Sequence, residues 1–463
     1  MACLCQGGPG RQPARRSPQR FVEGYPAVSG AKLHVNQWSR VGQAAESIVR
    51  AHESLRAGAD TGAVPIAQAA SGITLTVRHD LAAIEQTWCA FEQTADCSPF
   101  QTYDWLSAWQ RHIGAHNGVT PAIVLARRGD DILMLLPLAV QGGTFARRLT
   151  FLGQDLCDYN APLLARDFVS AIAPKSFDDL WHEIRALLQA TPASRHDSIA
   201  FEKMPETIGA QPNPLLCLDV RLNPSGAYET ILGTDWEQFY SAKRSSSTRR
   251  RDRTKVKRLG ELGEVKFVNP EASAELALTL DALVRQKSKS FARMGVANIF
   301  ERPGYTAFFQ ELATAPRMRA LVHLSRLDVG PSWAAVNLGL TFRNGYYHIL
   351  ASYDDGEVSR FGPGAAHLRE LLRYAIARGL KRFDFTIGDE PYKRDWCESE
   401  QRLHDYSAAV TWRGWPSAAV SGSWRRVKRA IKQTAPLWNA VVRVRSALAA
   451  LRSKHVDRDA DSS

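Results

Sequence analysis

The residues best suited to chemistry lie in two short stretches of the chain's second half. The first reads Ser359-Arg360-Phe361-Gly362-Pro363-Gly364-Ala365-Ala366 and falls between a predicted strand and a predicted helix. A Gly-x-Gly turn at a helix start aims backbone N–H groups outward, and the helix dipole adds partial positive charge there. That combination suits a pyrophosphate, with Arg360, Gly362, Gly364 and Ala365 in reach of it. Glycine matters because a side chain would keep the phosphate off the backbone. By itself the motif reads equally as a structural turn. The second stretch, Phe383 to Trp396, reads Phe-Asp-Phe-Thr-Ile-Gly-Asp-Glu-Pro-Tyr-Lys-Arg-Asp-Trp. Strand alternation turns Asp384 to the face opposite Phe383 and Phe385. If that face meets a cleft, Asp384 is a candidate base or acceptor anchor; otherwise it is a buried carboxylate bonding a loop. In the first half, Asp158-Tyr159-Asn160 is either a structural turn or part of an acceptor cleft.

Other chemistries find little support. No Ser/His/Asp triad or Cys/His pair stands at informative spacing. The cysteines at 3, 5, 89, 97, 157, 217 and 397 are odd in number and scattered, which argues for a reducing compartment rather than a disulfide framework. Cys3 and Cys5 have no neighbouring ligands, and no metal site is expected.

Helices and strands must hold these residues in place. Ile73 to Val77 alternates as a strand does. Asp80 caps a helix carrying Leu81, Ile84, Trp88 and Phe91, and a second helix from about Thr102 carries Trp105, Leu106 and Trp109. Strands are expected at Ala122 to Ala126, Ile132 to Val140 and Leu149 to Leu152, a helix at Asp178 to Ala190 and a strand at Ser198 to Phe201. The second half repeats that order. Helices are expected at Ala272 to Ala292 and Arg302 to Thr314, then strands at Met318 to Leu327, Ser332 to Phe342 and Tyr346 to Ser352. A helix from Ala365 to Arg378 stopped by Gly379 and a strand from Phe383 to Thr386 complete it. The repeat is sharpest where Phe100-Gln101 with Trp105 and Trp109 matches Phe300-Glu301 with Tyr305 and Phe309. Duplication of one domain type is the favoured reading.

On these residues the chain resembles the GNAT superfamily of acyltransferases. The Gly-x-Gly turn at a helix start after an antiparallel meander is similar to that superfamily's acyl-CoA loop. The duplicated layout and the stretch Asp384 to Trp396 resemble its FemAB-like branch, and within it the CelD-type acetyltransferases associated with cellulose and exopolysaccharide production. The likeness spans roughly residues 72 to 412 and is strongest over 317 to 396. It implies an α+β fold of tandem GNAT-like domains, each a largely antiparallel sheet flanked by helices. The expected layout is a disordered tail over 1–70, a first domain over 71–215 without a cofactor loop, an acyltransferase domain over 216–412, and a basic amphipathic helix and tail over 413–463. Acyl-CoA, acetyl-CoA first, is the implied co-substrate.

In such enzymes an amine or hydroxyl attacks the thioester directly, so positioning, a base and a proton donor suffice. Asp384 is the candidate base, and Tyr392 is either a donor to the leaving thiolate or a packed side chain. Lys393 is a candidate contact to an anionic acceptor or phosphate; the Tyr-Lys pair is characteristic of the family, which favours a functional reading without assigning a role. Asp158, Tyr159 and Tyr353 become candidate acceptor contacts. One departure stands out: the family's Gln or Arg three residues before the first Gly is Ser359 here, with Arg360 shifted by one. The implied function is an N- or O-acyltransferase acting on an envelope polysaccharide or its precursor. Its alternatives are an aminoacyl-tRNA-dependent peptidoglycan transferase and a non-catalytic accessory protein of exopolysaccharide synthesis.

Charge narrows the partners. Lys and Arg number 59 against 47 Asp and Glu, a surplus that suits phosphate or another anion. Nine Lys or Arg lie between Lys243 and Arg258, with Asp252 as the one acid. Without aromatics to stack on bases, sequence-specific nucleic-acid binding is not expected. Trp424 to Lys454 holds nine Lys or Arg and no acid, interleaved with an apolar stripe. That stripe either lies on an anionic membrane or docks on the protein's own body. No apolar run approaches the ~20 residues that span a bilayer, and the N-terminus lacks an apolar h-region. A cytoplasmic location is expected, with peripheral contact at the inner membrane surface.

Overall fold

The computed structural model describes residues 66–68, 72–143, 145–416 and 419 of the 463-residue chain. Apart from Ile66–Gln68, the expected tail over 1–70 falls outside the described residues, as does the basic stretch Trp424 to Lys454.

The first half contains strands β1 Ile66–Gln68, β2 Thr74–Arg78, β3 Val119–Arg128, β4 Asp131–Gln141, β5 Arg148–Phe151 and β6 Ser198–Pro205. Its principal helices are α1 Glu85–Thr94, α2 Tyr103–Trp109 and α3 Pro174–Ala190. The second half contains β7 Ala227–Ile231, β8 Val265–Val268, β9 Val322–Val329, β10 Ser332–Phe342, β11 Gly345–Tyr353, β12 Arg382–Ile387 and β13 Leu403–Ala409. Its principal helices are α4 Trp236–Lys243, α5 Ser246–Leu262, α6 Ser273–Met294, α7 Tyr305–Thr314 and α8 Pro363–Ala377.

The two sheets share one plan. Strands β2-β3-β4-β5-β6 follow one another in the first, and β8-β9-β10-β11-β12 in the second. All these neighbours are antiparallel except the last pair of each, β5 with β6 and β11 with β12, which are parallel. A parallel pair needs a crossover, and α3 and α8 supply it in the two halves. Beyond β6 the first sheet continues with β13, which pairs antiparallel from Leu403↔Pro205 to Ala409↔Ser198. The second sheet continues beyond β12 with β7. The strand that follows the second sheet in sequence is thus built into the first.

Alternation sorts the side chains into separate cores. On β3, Ile123 and Leu125 face the core shared by both halves, while Ala122, Val124 and Ala126 face α3 with Trp181, Ile184 and Leu188. The shared core also takes Trp105, Trp109, Phe308, Phe309, Val336, Leu338 and Tyr347. Trp105 meets Phe308 edge to face at 5.2 Å, so the duplicated aromatic helices α2 and α7 pack on each other. Each follows a 3-10 turn, Pro99–Gln101 and Ile299–Glu301, started by Ser98 and Asn298 side chains that accept from a backbone N–H.

Some elements start elsewhere than expected. Asp80 takes the Ala82 N–H at 2.9 Å, but the turn it caps is the 3-10 turn Ala82–Ile84 ahead of α1. The helix expected from Arg302 begins at Tyr305, because Gly304 has φ +83° and lies flat against the His112 carbonyl.

Candidate functional site

Strands β11 and β12 pair only over Gly345↔Arg382, Tyr346↔Phe383 and Tyr347↔Asp384. Beyond that the ladder stops, and the Thr386 hydroxyl on the His348 carbonyl is the next bond between the two strands. A bulge lies just past this point on β11: Leu338 of β10 pairs with Leu350 and Gly339 with His348, so Ile349 is the extra residue. Strand β11 ends in Tyr353, and a 3-10 turn Glu357–Phe361 leads to Gly362. Gly362 takes φ +67° and ψ +57°, and Pro363 follows at the first position of α8. The helix's first bond runs from Ala366 N–H to the Gly362 carbonyl at 3.2 Å, and no side chain caps its start. The N–H groups of Gly364 and Ala365 therefore have no acceptor within the helix. Leu368, Leu371, Leu372, Ala375 and Ile376 bury the other face of α8 against Phe383 and Phe385, which holds those donors in position.

The cations around the loop are arranged unexpectedly. Arg360 pairs with Glu357 and lies over the Phe361 ring at 5.0 Å. Lys255, on α5, reaches the loop from another element: its Nζ lies 3.6 Å from where a Gly362 Cβ would stand. Helix α5 is fastened by Asp252, which accepts from the Tyr240 hydroxyl at 2.7 Å and pairs with Arg369 at 3.5 Å. Arg250, Arg251, Arg253, Lys255, Lys257 and Arg258 remain exposed on it. The sequence marked this run as basic, but nothing local singled out Lys255. Tyr353 stands beside the loop, half exposed, with its ring 3.5 Å from where a Gly364 Cβ would be.

Asp384 lies on the opposite face of β12 from Phe383 and Phe385 and meets the first half. Its carboxylate accepts the Tyr159 hydroxyl at 2.8 and 2.9 Å and the Thr386 N–H at 2.7 Å. Burial raises its carboxyl to about 7, against the lowering effect of those two donors. A cavity of about 170 Å³ opens beside it, lined by Gln101, Tyr159, Glu229, Tyr347 and Arg382 among others. Thr386 is held at φ +57°, a conformation a β-branched residue adopts only under constraint. Its N–H bonds Asp384 and its hydroxyl bonds the His348 carbonyl at 3.3 Å, so the strain sits where β11 and β12 part.

The first-half connection after β5, equivalent in place to the Gly-x-Gly loop, runs to the interface instead. Tyr159 reaches Asp384 from it, and Asp155 accepts the Tyr305 hydroxyl at 2.8 and 2.9 Å and pairs with Arg302 at 2.9 Å. Asp158 is held above its ordinary carboxyl range by burial, offset by Lys203 and the Thr386 hydroxyl. Lys393 is buried, and its three donors go to the Ile387 carbonyl at 2.9 Å, the Thr386 carbonyl at 3.3 Å and Glu390 at 3.0 Å. In this arrangement it fastens the loop after β12. Tyr392 stays partly exposed with its ring 6.2 Å from Phe385, and burial of its hydroxyl, then Glu390, pushes the phenol up. His348 packs near Phe383 and Phe385, and burial lowers its imidazole to about 3. The structure thus brings Tyr159, Asp158 and Asp384 together, and Gly362, Gly364, Ala365 and Tyr353 form a second group.

Residues 246–394 match the family described as an acetyltransferase (GNAT) domain. The second half carries a GNAT acetyltransferase domain. Its matched span runs from the start of α5 to the end of the short helix Pro391–Arg394, so it takes in the uncapped loop, Lys255 and Asp384. The GNAT domain makes the chain an acyltransferase in class. No curated protein matches the chain significantly. Among solved structures, FemX is similar at 10% identity and a TM-score of 0.49, covering 70% of this chain and 95% of that one. A tandem GNAT protein from the clavulanic acid biosynthesis pathway is similar at 12% identity and a TM-score of 0.39, covering 73% and 98%. A GCN5-related N-acetyltransferase from Sphaerobacter thermophilus is similar at 10% identity and a TM-score of 0.33, covering 73% and 98%. At these values the neighbours add no argument to the chain's own geometry.

Proposed function

We propose that the chain is an acyl-CoA-dependent N- or O-acyltransferase, with acetyl-CoA as donor and an envelope saccharide or its precursor as acceptor. One observation carries the donor side: the uncapped N–H groups of Gly364 and Ala365, at the start of the helix that follows β11 inside the GNAT domain. These donors suit a pyrophosphate, and Lys255 supplies the cation that Ser359 does not. Acyl-CoA brings an activated thioester. The bulged edge of β11 offers backbone N–H groups to polarise its carbonyl. Asp384 takes the proton of the attacking hydroxyl or ammonium, and a carboxyl near 7 is well matched to that role. The nucleophile bonds the acyl carbon, the carbon–sulfur bond breaks, and Tyr392 returns a proton to the thiolate. Tyr159 and Asp158 of the first half hold the acceptor side, and the polar cavity beside Asp384 suits a hydroxyl-rich or amine-bearing acceptor. The saccharide class rests on the CelD-type resemblance of Asp384 to Trp396.

Calorimetry with acetyl-CoA tests the reading. The parent is expected to bind and a Gly362→Asp variant to lose binding, since a carboxylate there repels the pyrophosphate. No binding by the parent would sink it. The exposed cations of α5 favour one second reading, transfer from an aminoacyl-tRNA. Charged tRNA binding in the absence of any acetyl-CoA binding would replace the first reading with that one.

A further inference from the structure

Three large aromatic side chains stand in solvent at one end of the first sheet. Phe145, Trp412 and Trp415 are 60%, 75% and 69% exposed. Phe145 lies in the turn between β4 and β5, and the two tryptophans follow β13, yet the Phe145 and Trp412 rings meet edge to face at 6.1 Å. Exposed aromatics usually scatter singly; a cluster of three calls for a partner.

One residue binds the segments that present them. The Asp197 carboxylate accepts the Arg147 N–H at 2.8 Å and the Thr411 hydroxyl at 2.6 Å. Its carbonyl accepts the N–H groups of Val410 at 2.8 Å and Thr411 at 3.1 Å, and its own N–H donates to the Arg147 carbonyl at 2.8 Å. Gly414 lies so close to that carbonyl that any Cβ would overlap it. The fold therefore fixes both segments and still leaves the rings outside.

The two segments that carry the rings are basic, and the acid that ties them together, Asp197, is engaged by the Arg147 N–H and the Thr411 hydroxyl. Arg147 and Arg148 follow Phe145 by two and three residues, and Arg413 lies between the tryptophans with its guanidinium 5.8 Å from the Trp412 ring. Beyond the described residues the chain continues from Trp424 to Lys454 with nine Lys or Arg and no acid. Aromatic rings with a flanking basic surface are matched to the headgroup layer of an anionic bilayer, where the rings enter the interface and the cations meet phosphate. Among the described residues no helix is long and apolar enough to cross a membrane.

We infer that Phe145, Trp412 and Trp415 form a docking surface for an anionic lipid bilayer. The inference is independent of the acyltransferase reading. Cosedimentation of the full chain with phosphatidylcholine vesicles, with and without phosphatidylglycerol, tests it. The parent is expected to bind only the anionic vesicles, and a Phe145→Ser, Trp412→Ser, Trp415→Ser triple variant to partition about tenfold less. Since all three side chains are exposed, thermal melts of parent and variant should coincide, which separates lost docking from lost folding. A parent that ignores anionic vesicles, or binds neutral ones equally, overturns the inference. So does undiminished binding by the triple variant, which would assign binding to the basic segment alone. Self-association in sedimentation velocity, abolished in the triple variant and unaccompanied by vesicle binding, would give the patch to a second copy of the chain and overturns it as well.

Discussion

Burial holds the Asp384 carboxyl at about 7, above the 3.8 of a free aspartate. Between those values the unfolded chain releases a proton that the folded chain keeps, so folding loses stability as pH rises from about 4 to 7. Asp384→Asn removes that penalty while keeping an acceptor for the Tyr159 hydroxyl. The variant should melt above the parent at pH 8, with the gap closing as pH falls through 7 towards 4. Its turnover should drop by about 10² to 10⁴-fold, the usual worth of a positioned base. A variant as active as the parent removes Asp384 from the reaction. At the loop, Lys255→Ala should weaken acetyl-CoA binding roughly tenfold, as loss of one charge-assisted phosphate contact does. Lys257→Ala, a loss of equal charge two residues along α5, should change it little. Equal effects of the two would mean a diffuse field rather than a contact.

The duplicated aromatic helices test how the halves are joined. Gly304, ahead of α7, has φ +83°, and a Cβ there would fall 2.7 Å from the His112 carbonyl carbon while overlapping its oxygen. Nearby, Glu311 pairs with Arg111 at 2.8 Å and His112 at 2.6 Å. Gly304→Ala must therefore push α7 away from the first half as well as strain its own backbone. A loss of about 2–4 kcal/mol is expected in denaturant melts, from left-handed strain plus overpacking. A loss below about 0.5 kcal/mol would mean that the interface yields freely. The strands of the two meanders were legible because they alternate or carry β-branched runs between turn signals. Strands β7, β8 and β13 were not. No β-hairpin partner adjoins them in sequence, and His404-Asp405-Tyr406-Ser407-Ala408-Ala409 of β13 shows no apolar alternation, since Asp405 is buried by bonds to the Lys203 N–H and Asn223 rather than by hydrophobicity.

The exchange of β13 ties the two halves into one folding problem. Residues 72–222 expressed alone would leave the β6 edge, Ser198 to Pro205, without its partner. Such an open edge invites pairing with other chains. The fragment is expected to aggregate or to lack a cooperative melt, and appending Leu403 to Ala409 through a flexible linker should restore one. A well-behaved fragment without that strand would show that β13 is dispensable to the first sheet.

The sequence by itself determined what depends on near neighbours along the chain. The repeat of helix, helix, meander, helix and strand follows from periodicity. The place of Gly362-Pro363-Gly364 at a helix start follows from turn chemistry, and the turning of Asp384 away from Phe383 and Phe385 follows from a period of two. Only the tertiary structure decided what each group meets. Tyr159 donates to Asp384 from the other half, Lys255 rather than Arg360 stands over Gly362, Lys393 spends its donors on its own loop, and β13 leaves its half for the first sheet. Those outcomes follow from packing between segments far apart in the chain. Local periodicity carries no record of such packing, because it specifies which face of an element is apolar and not which distant element covers it.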